Sequence, residues 1–123
     1  MLVVNRFVVA DEEAFVGRAH TALAALAARP GYLSGRLTRA LDEPEQWCLL
    51  TEWESVGAYR RALGAFEVKV SATPLLAESL AGPSAFEELA TAPPGGAVTV
   101  MASDRAGSED GRRGGDARTT IAE

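Results

Sequence analysis

The chain is poor in the residues that build metal and redox centres. Cys48 is its single cysteine and His20 its single histidine. No intramolecular disulfide can form, no CxxC pair exists, and a histidine-rich metal site lacks its clustered nitrogens. An intracellular, reducing setting fits such cysteine usage, and no metal is expected. Positive charge is the minority sign: twelve Lys and Arg against seventeen Asp and Glu give a net charge of −5. A phosphate-binding surface concentrates the opposite sign, so nucleic acid is not an expected partner. No segment reaches the roughly 18 consecutive apolar residues of a membrane span. The amino-terminal MLVVNRFVVADEE has neither the basic region nor the small-residue cleavage site of a secretory signal. A soluble, cytoplasmic protein without membrane contact is therefore expected. GxGxxG and GxxxxGK[ST] are also missing, which removes the usual glycine-rich cradles for dinucleotide and nucleotide phosphates.

What is present fits one domain with one core, since 123 residues suffice to bury it without staples. Composition shifts at Pro93-Pro94-Gly95-Gly96, after which Gly, Ser, Ala and scattered charges continue to Glu123 with no aromatic residue. Such a stretch buries too little apolar surface to offset its ordering entropy. Residues 1–91 are expected to form the domain and 92–123 a disordered tail, within which Ala97–Met101 is the one piece apolar enough for a short strand.

Within the domain, LVVNRFVV at 2–9 reads as a strand, and Asp11 as the cap of a helix over about 12–28. Phe15, Ala19, Ala22, Leu23 and Leu26 recur there at helical spacing. Pro30-Gly31 ends the helix. Tyr32–Leu41 and Gln46–Trp53 then flank Asp42-Glu43-Pro44-Glu45 as a hairpin. Ser55 caps a short helix through Leu63, with Gly64 expected to close it in the left-handed conformation. A further helical stretch begins near Phe66 and is broken at Thr73-Pro74, where Thr as cap and Pro as first residue restart a helix through Leu80. Ala85–Ala90 is taken as a last strand because the order βαββαα needs a fourth strand to complete its sheet. The result is an α+β, ferredoxin-like βαββαα(β) domain, a four-stranded antiparallel sheet with helices on one face.

Strand parity sorts the side chains. If Trp53 faces the helices, Trp47, Leu49 and Thr51 share its side, and Val3, Asn5, Phe7 and Val9 form the matching row on the first strand. Val4, Val8, Cys48 and Leu50 make the other face apolar as well, and helices can cover only one. The second face is expected to meet another copy of the chain. Arg6, Arg36 and Glu52 fall on that face, where structural ion pairing is the expected role.

TEWESVGAYRRAL, residues 51–63, resembles the signature of the antibiotic-biosynthesis-monooxygenase family at Trp53-Glu54-Ser55 and Ala58-Tyr59-Arg60. Arg29-Pro30-Gly31-Tyr32-Leu33 resembles that family's helix-to-strand turn, and Pro83-Ser84-Ala85-Phe86 the start of its last strand. The resemblance spans about residues 2–91. It implies a homodimeric α/β barrel with a pocket between each sheet and its helices. Leu49 departs from the quinone-forming pattern, which has an asparagine four residues before the tryptophan. The haem-degrading pattern has an axial histidine after that tryptophan, and residues 56–82 contain none.

Candidate site residues follow from parity and resemblance together. Asn5 is a polar amide in an apolar row. It must bond something, either a ligand oxygen or a nearby backbone group or water. Trp53 offers an indole face and an N–H, or serves as a core anchor. Tyr59 reaches the pocket as a proton-transfer or orienting group, or points to solvent. Phe7, Trp47, Leu49, Thr51 and Phe66 are taken as substrate-lining residues, with Trp47 the nearest to plain packing. His20 is expected at the surface. The leading expectation is a cofactor-independent monooxygenase that oxidises an electron-rich aromatic, a polyketide-like phenol or anthrone, with dioxygen. A non-catalytic dimer that binds a small hydrophobic ligand, or an accessory subunit, is the alternative, and a haem-degrading enzyme ranks third.

Overall fold

The computed structural model describes residues 1–103 and the backbone of residues 120 and 121. The chain divides into two compact units, Met1–Phe86 and Glu87–Glu123.

The first unit runs β1 (Leu2–Val8), α1 (Glu12–Ala27), β2 (Tyr32–Arg39), β3 (Gln46–Trp53), α2 (Val56–Leu63), α3 (Phe66–Ser71), α4 (Thr73–Leu76) and β4 (Ala85–Phe86). The four strands form one sheet in the order β2-β3-β1-β4, with every pairing antiparallel. This is the ferredoxin-like α+β arrangement. No helix of the described residues is long and apolar enough to cross a membrane.

Local chemistry starts the helices where the sequence places them. Asp11 Oδ1 accepts from the Ala14 amide at 3.1 Å, and Ser55 Oγ accepts from the Ala58 amide at 3.0 Å. Each cap satisfies one of the amides that a helix start leaves without an intrahelical partner. The turn into β2 depends on Gly31, at φ +89°. A Cβ there would collide with the Ala58 Cβ, so backbone conformation and close approach to α2 both require glycine. The Gly31 carbonyl also accepts from the Glu54 amide at 2.8 Å, tying this turn to the start of α2.

Four local expectations are corrected. Gly64 sits at φ −83°, ψ −9°, in the right-handed region. The chain turns there directly into α3, with the Gly64 amide donating to the Arg61 carbonyl at 3.1 Å, so no left-handed cap is needed. Thr73 does not cap α4. Ala72 holds that position, Thr73 and Pro74 open the helix, and no side-chain bond caps it. The helix also stops at Leu76 rather than Leu80, because the Leu80 amide donates to the Arg6 carbonyl at 2.7 Å and draws the chain onto the edge of β1. Finally, the last strand covers Ala85–Phe86 only. Phe86 pairs with Leu2, the first residue of β1, so a longer strand would run past the end of its partner.

Burial follows the parity of the strands. Val3, Asn5 and Phe7 on β1 and Trp47, Leu49, Thr51 and Trp53 on β3 are buried beneath the helices. There they pack with Phe15, Ala19, Ala22 and Leu26 of α1, Ala58 and Ala62 of α2, Val68 of α3 and Leu75 of α4. Val9 is half-buried at the border. On the opposite sheet face, Leu2, Val4, Cys48 and Leu50 are half-buried, while Val8 and Phe86 are exposed. Arg6, Arg36 and Glu52 make no ion pair among the described residues. Arg6 donates to the Ala81 carbonyl at 3.4 Å, and Glu52 accepts from the Ser34 hydroxyl at 3.1 Å.

In the second unit, β5 (Ala90–Thr91), β6 (Val98–Val100) and β7 (Thr120–Ile121) form an antiparallel sheet in chain order. The Met101 amide extends the ladder by donating to the Leu89 carbonyl at 2.9 Å. The apolar Ala97–Met101 segment thus contains a strand. The disordered tail expected over 92–123 falls mainly outside the described residues.

Candidate active site

The inner face of the sheet carries two aromatic clusters, one at each end of β3. Near the Gln46 end, Phe7 and Phe15 lie 5.1 Å apart between ring centroids, and Phe15 meets Trp47 edge-on at 5.5 Å. The Arg39 guanidinium sits 5.3 Å above the Trp47 ring and also pairs with Glu12 at 3.2 Å. This cluster is hydrocarbon packing closed at its rim by a cation on an indole face.

At the other end, Trp53 is fully buried, at 0% exposure. Tyr32 meets it edge-on at 5.4 Å, and Tyr59 meets it tilted, also at 5.4 Å. Tyr59 reaches Trp53 because the Ser55 cap starts α2 immediately after β3. Tyr32 fits because Gly35 leaves room: a Cβ at Gly35 would collide with the Tyr32 hydroxyl and stand 2.7 Å from Leu23 Cδ1. Burial pushes the hydroxyl pKa of Tyr59 up, and that of Tyr32 likewise. Both phenols therefore hold their protons more tightly than free tyrosine does.

Two polar residues are buried among these rings, Asn5 at 8% exposure and Thr51 at 3%. The Trp53 Nε1–H donates to Thr51 Oγ1 at 2.8 Å. The sequence leaves Trp53 open as a ligand donor or a core anchor, and in the structure its indole proton is held by Thr51. Asn5 differs, because its side-chain amide makes no hydrogen bond among the described residues. It lies opposite Leu49 in the ladder. Leu49 precedes Trp53 by four residues, about 13 Å along a strand at ~3.3 Å per residue. Asn5 therefore sits between the two aromatic clusters rather than against Trp53.

Of the expected residues, the structure brings Trp53, Tyr59 and Thr51 into one cluster, sets Asn5 and Leu49 beside it, and groups Phe7 with Trp47 at the far end. Phe66 does not join them. It opens α3 at 74% exposure, so it is not an interior lining residue. The reason is helical phase: Val68, two positions on, takes the buried side of this short helix. Tyr32 and Gly35 were missed as partners of Trp53, and the signal available for them was Tyr32's place beside Pro30-Gly31 at the head of β2. His20 is exposed, as expected.

A hollow of about 350 Å3 lies between α1 and α3–α4, lined by Gly17, Arg18, Thr21, Val70 and Leu75 among others. Another, of about 230 Å3, opens on the outer sheet face at Leu2, Ser34, Arg36, Leu50 and Glu52. Neither is lined by Asn5, Trp53 or Tyr59, while Thr51 belongs to the lining of the second.

Fold and interior together define a ferredoxin-like domain whose helices close over an aromatic-lined sheet bearing isolated polar groups. Residues 1–70 match the sequence profile of the antibiotic biosynthesis monooxygenases, and the chain belongs to that family. Among solved structures it is similar to SnoaB, a cofactor-independent oxygenase from Streptomyces nogalater. The identity is 28%, over 72% of this chain and 94% of SnoaB, with a TM-score of 0.58. A conserved protein from Methanosarcina mazei shares the fold at 22% identity, over 68% and 84% of the two chains, with a TM-score of 0.56. A candidate antibiotic biosynthesis monooxygenase from Nitrosomonas europaea does so at 14% identity, over 67% and 87%, with a TM-score of 0.53. No curated protein matches the chain.

Proposed function

We propose that this protein is a cofactor-independent monooxygenase that oxidises an electron-rich, flat aromatic substrate of the phenol or anthrone class to a quinone. The observation that carries this reading is Asn5: an amide in an apolar row, 8% exposed and making no hydrogen bond among the described residues, is open to an oxygen of a bound ligand. Its register adds support. Asn5 faces Leu49, the position at which the quinone-forming pattern carries its asparagine, and facing residues of an antiparallel ladder lie about 5 Å apart at Cα. An amide is thus offered from β1 close to where the pattern offers one from β3. Similarity to SnoaB supports the oxygenase chemistry.

The chemistry asks little of the protein. An anthrone methylene between two aryl rings loses a proton to give a delocalised anion, which passes an electron to dioxygen. Recombination forms a carbon–oxygen bond, and loss of the second C–H proton with O–O cleavage leaves the carbonyl. In balance, the methylene and one dioxygen give the carbonyl and one water: one oxygen atom stays on carbon, and the other leaves with both hydrogens. Asn5 stabilises the anion by donation to its oxygen, and the rings of Trp53 and Tyr59 orient the flat substrate and exclude water. Tyr59, with its proton tightly held, acts as a donor rather than a base. Two copies pair through the outer sheet face, where Leu2, Val4, Val8, Leu50 and Phe86 gather.

Oxygen uptake with 1,8-dihydroxyanthrone, without added metal or flavin, tests the reading. We expect one dioxygen consumed per quinone formed, and a fall in kcat/KM of at least about tenfold in Asn5→Ala. Uptake no faster than the substrate's own oxidation overturns the oxygenase. Sedimentation tests the pairing, and a stable monomer at micromolar concentration overturns it.

A second reading has its own support. Among the described residues the buried polar ones are an amide and a hydroxyl, with no carboxylate or imidazole, and a binding protein for a flat hydrophobic ligand needs no more. Saturable binding of the same compound without turnover would favour it.

A further inference from the structure

We propose that Thr51, oriented by Trp53, is a second ligand-binding group, and that with Asn5 it makes the interior selective for an aromatic ligand carrying two oxygens along one edge. The inference rests on the ligand-binding reading of Asn5 and goes beyond it.

Trp53 is fully buried between Tyr32 and Tyr59, so its Nε1–H has one direction in which to donate, and at 2.8 Å it fills a lone pair of Thr51 Oγ1. A hydroxyl carries one donor and two acceptor sites. With one lone pair taken, the Thr51 rotor can no longer aim its hydrogen toward the indole, and that hydrogen has no acceptor among the described residues. Asn5 has both an acceptor and a donor to offer.

Register sets the two groups side by side. Asn5 faces Leu49 and Val3 faces Thr51, so Asn5 and Thr51 are diagonal neighbours on the same face of adjacent strands. Diagonal neighbours stand about 7 Å apart, which lets both side chains reach oxygens on one edge of a single flat molecule. The proton the site presents is therefore the one on Thr51, one position of the inner row closer to Asn5 than the indole. Trp53 is a positioning residue. A hydroxyl and a carbonyl on neighbouring ring positions engage both groups, whereas a lone carbonyl engages one.

Anaerobic equilibrium binding of 1,8-dihydroxyanthrone and of anthrone, which has a single oxygen, to the full chain tests this. Wild-type protein should bind the dihydroxy compound about tenfold more tightly than anthrone. Thr51→Val should abolish that preference by lowering the affinity for the dihydroxy compound about tenfold relative to anthrone, and Thr51→Ser should keep it. Thr51→Ala serves if valine disturbs the packing. Trp53→Phe, which keeps a ring and loses the donor, should reduce the preference partially. An upfield shift of one of the two indole N–H resonances in Thr51→Val reports the broken Trp53 bond directly.

Equal weakening of both compounds by Thr51→Val means that Thr51 serves only to hold the Trp53 indole in place, and overturns the proposal. Persistence of the preference in Thr51→Val overturns it too, while the Asn5 reading stands. Binding of neither compound to wild-type protein overturns both.

Discussion

The two ends of the inner sheet face use one kind of part in different ways. Each has a buried tryptophan on β3 with two further aromatic rings. At Trp47 the other rings are Phe7 and Phe15, and the polar element, Arg39, lies at the rim with its charge toward solvent. At Trp53 the other rings are Tyr32 and Tyr59, the indole N–H bonds Thr51 inside, and Asn5 lies diagonal to Thr51, between the two clusters. Apolar area does the stabilising at both ends. The buried polar groups, Thr51 and Asn5, lie beside the Trp53 cluster and between the two ends, and it is these that we propose recognise a ligand.

The largest effect is expected at the hydrocarbon end. Phe15→Ala removes the ring that touches both Phe7 and Trp47. It should cost about 4 kcal/mol in urea unfolding yet leave the affinity of the folded protein for 1,8-dihydroxyanthrone unchanged. Loss of affinity at equal occupancy of the folded state would mean that the two ends are not separate.

Asn5→Leu is the converse. Asn5 makes no hydrogen bond among the described residues and leucine matches its branching, so this variant should keep its stability in urea unfolding while losing ligand binding. A destabilised variant would mean that Asn5 is bonded within the free protein.

The smallest effect is read at alkaline pH. Burial raises the Tyr59 pKa in the folded state. Its contribution to stability is therefore complete below the unfolded value, near 10, and is lost as pH rises through the higher folded value. Tyr59→Phe should flatten that alkaline decline in urea melts taken between about pH 9 and 11. An unchanged slope would assign the decline to Tyr32 or to other groups.

Much of this was legible in the linear chain. Period-two alternation put Val3, Asn5, Phe7, Trp47, Leu49, Thr51 and Trp53 on one face, because strand geometry leaves a side chain two directions. Asp11 and Ser55 declared their helices through short side chains that reach an amide three residues on. Phe66 misled because two short helices in succession leave the phase undetermined, and a strongly apolar residue is no guide to which side of a six-residue helix is buried. Gly64 misled because a glycine after a helix is compatible with either hand, and the start of α3 decided.

The site divides along the same line. Residue identity and parity suffice to put a lone amide in an apolar row and a tryptophan at the end of the third strand. Which group holds the indole proton was settled by packing. Trp53 and Thr51 are two residues apart, so parity allowed the bond. Its formation required Tyr32 folded over Gly35 and Tyr59 carried in by α2 to fix the ring, and those contacts join segments that the linear order keeps apart.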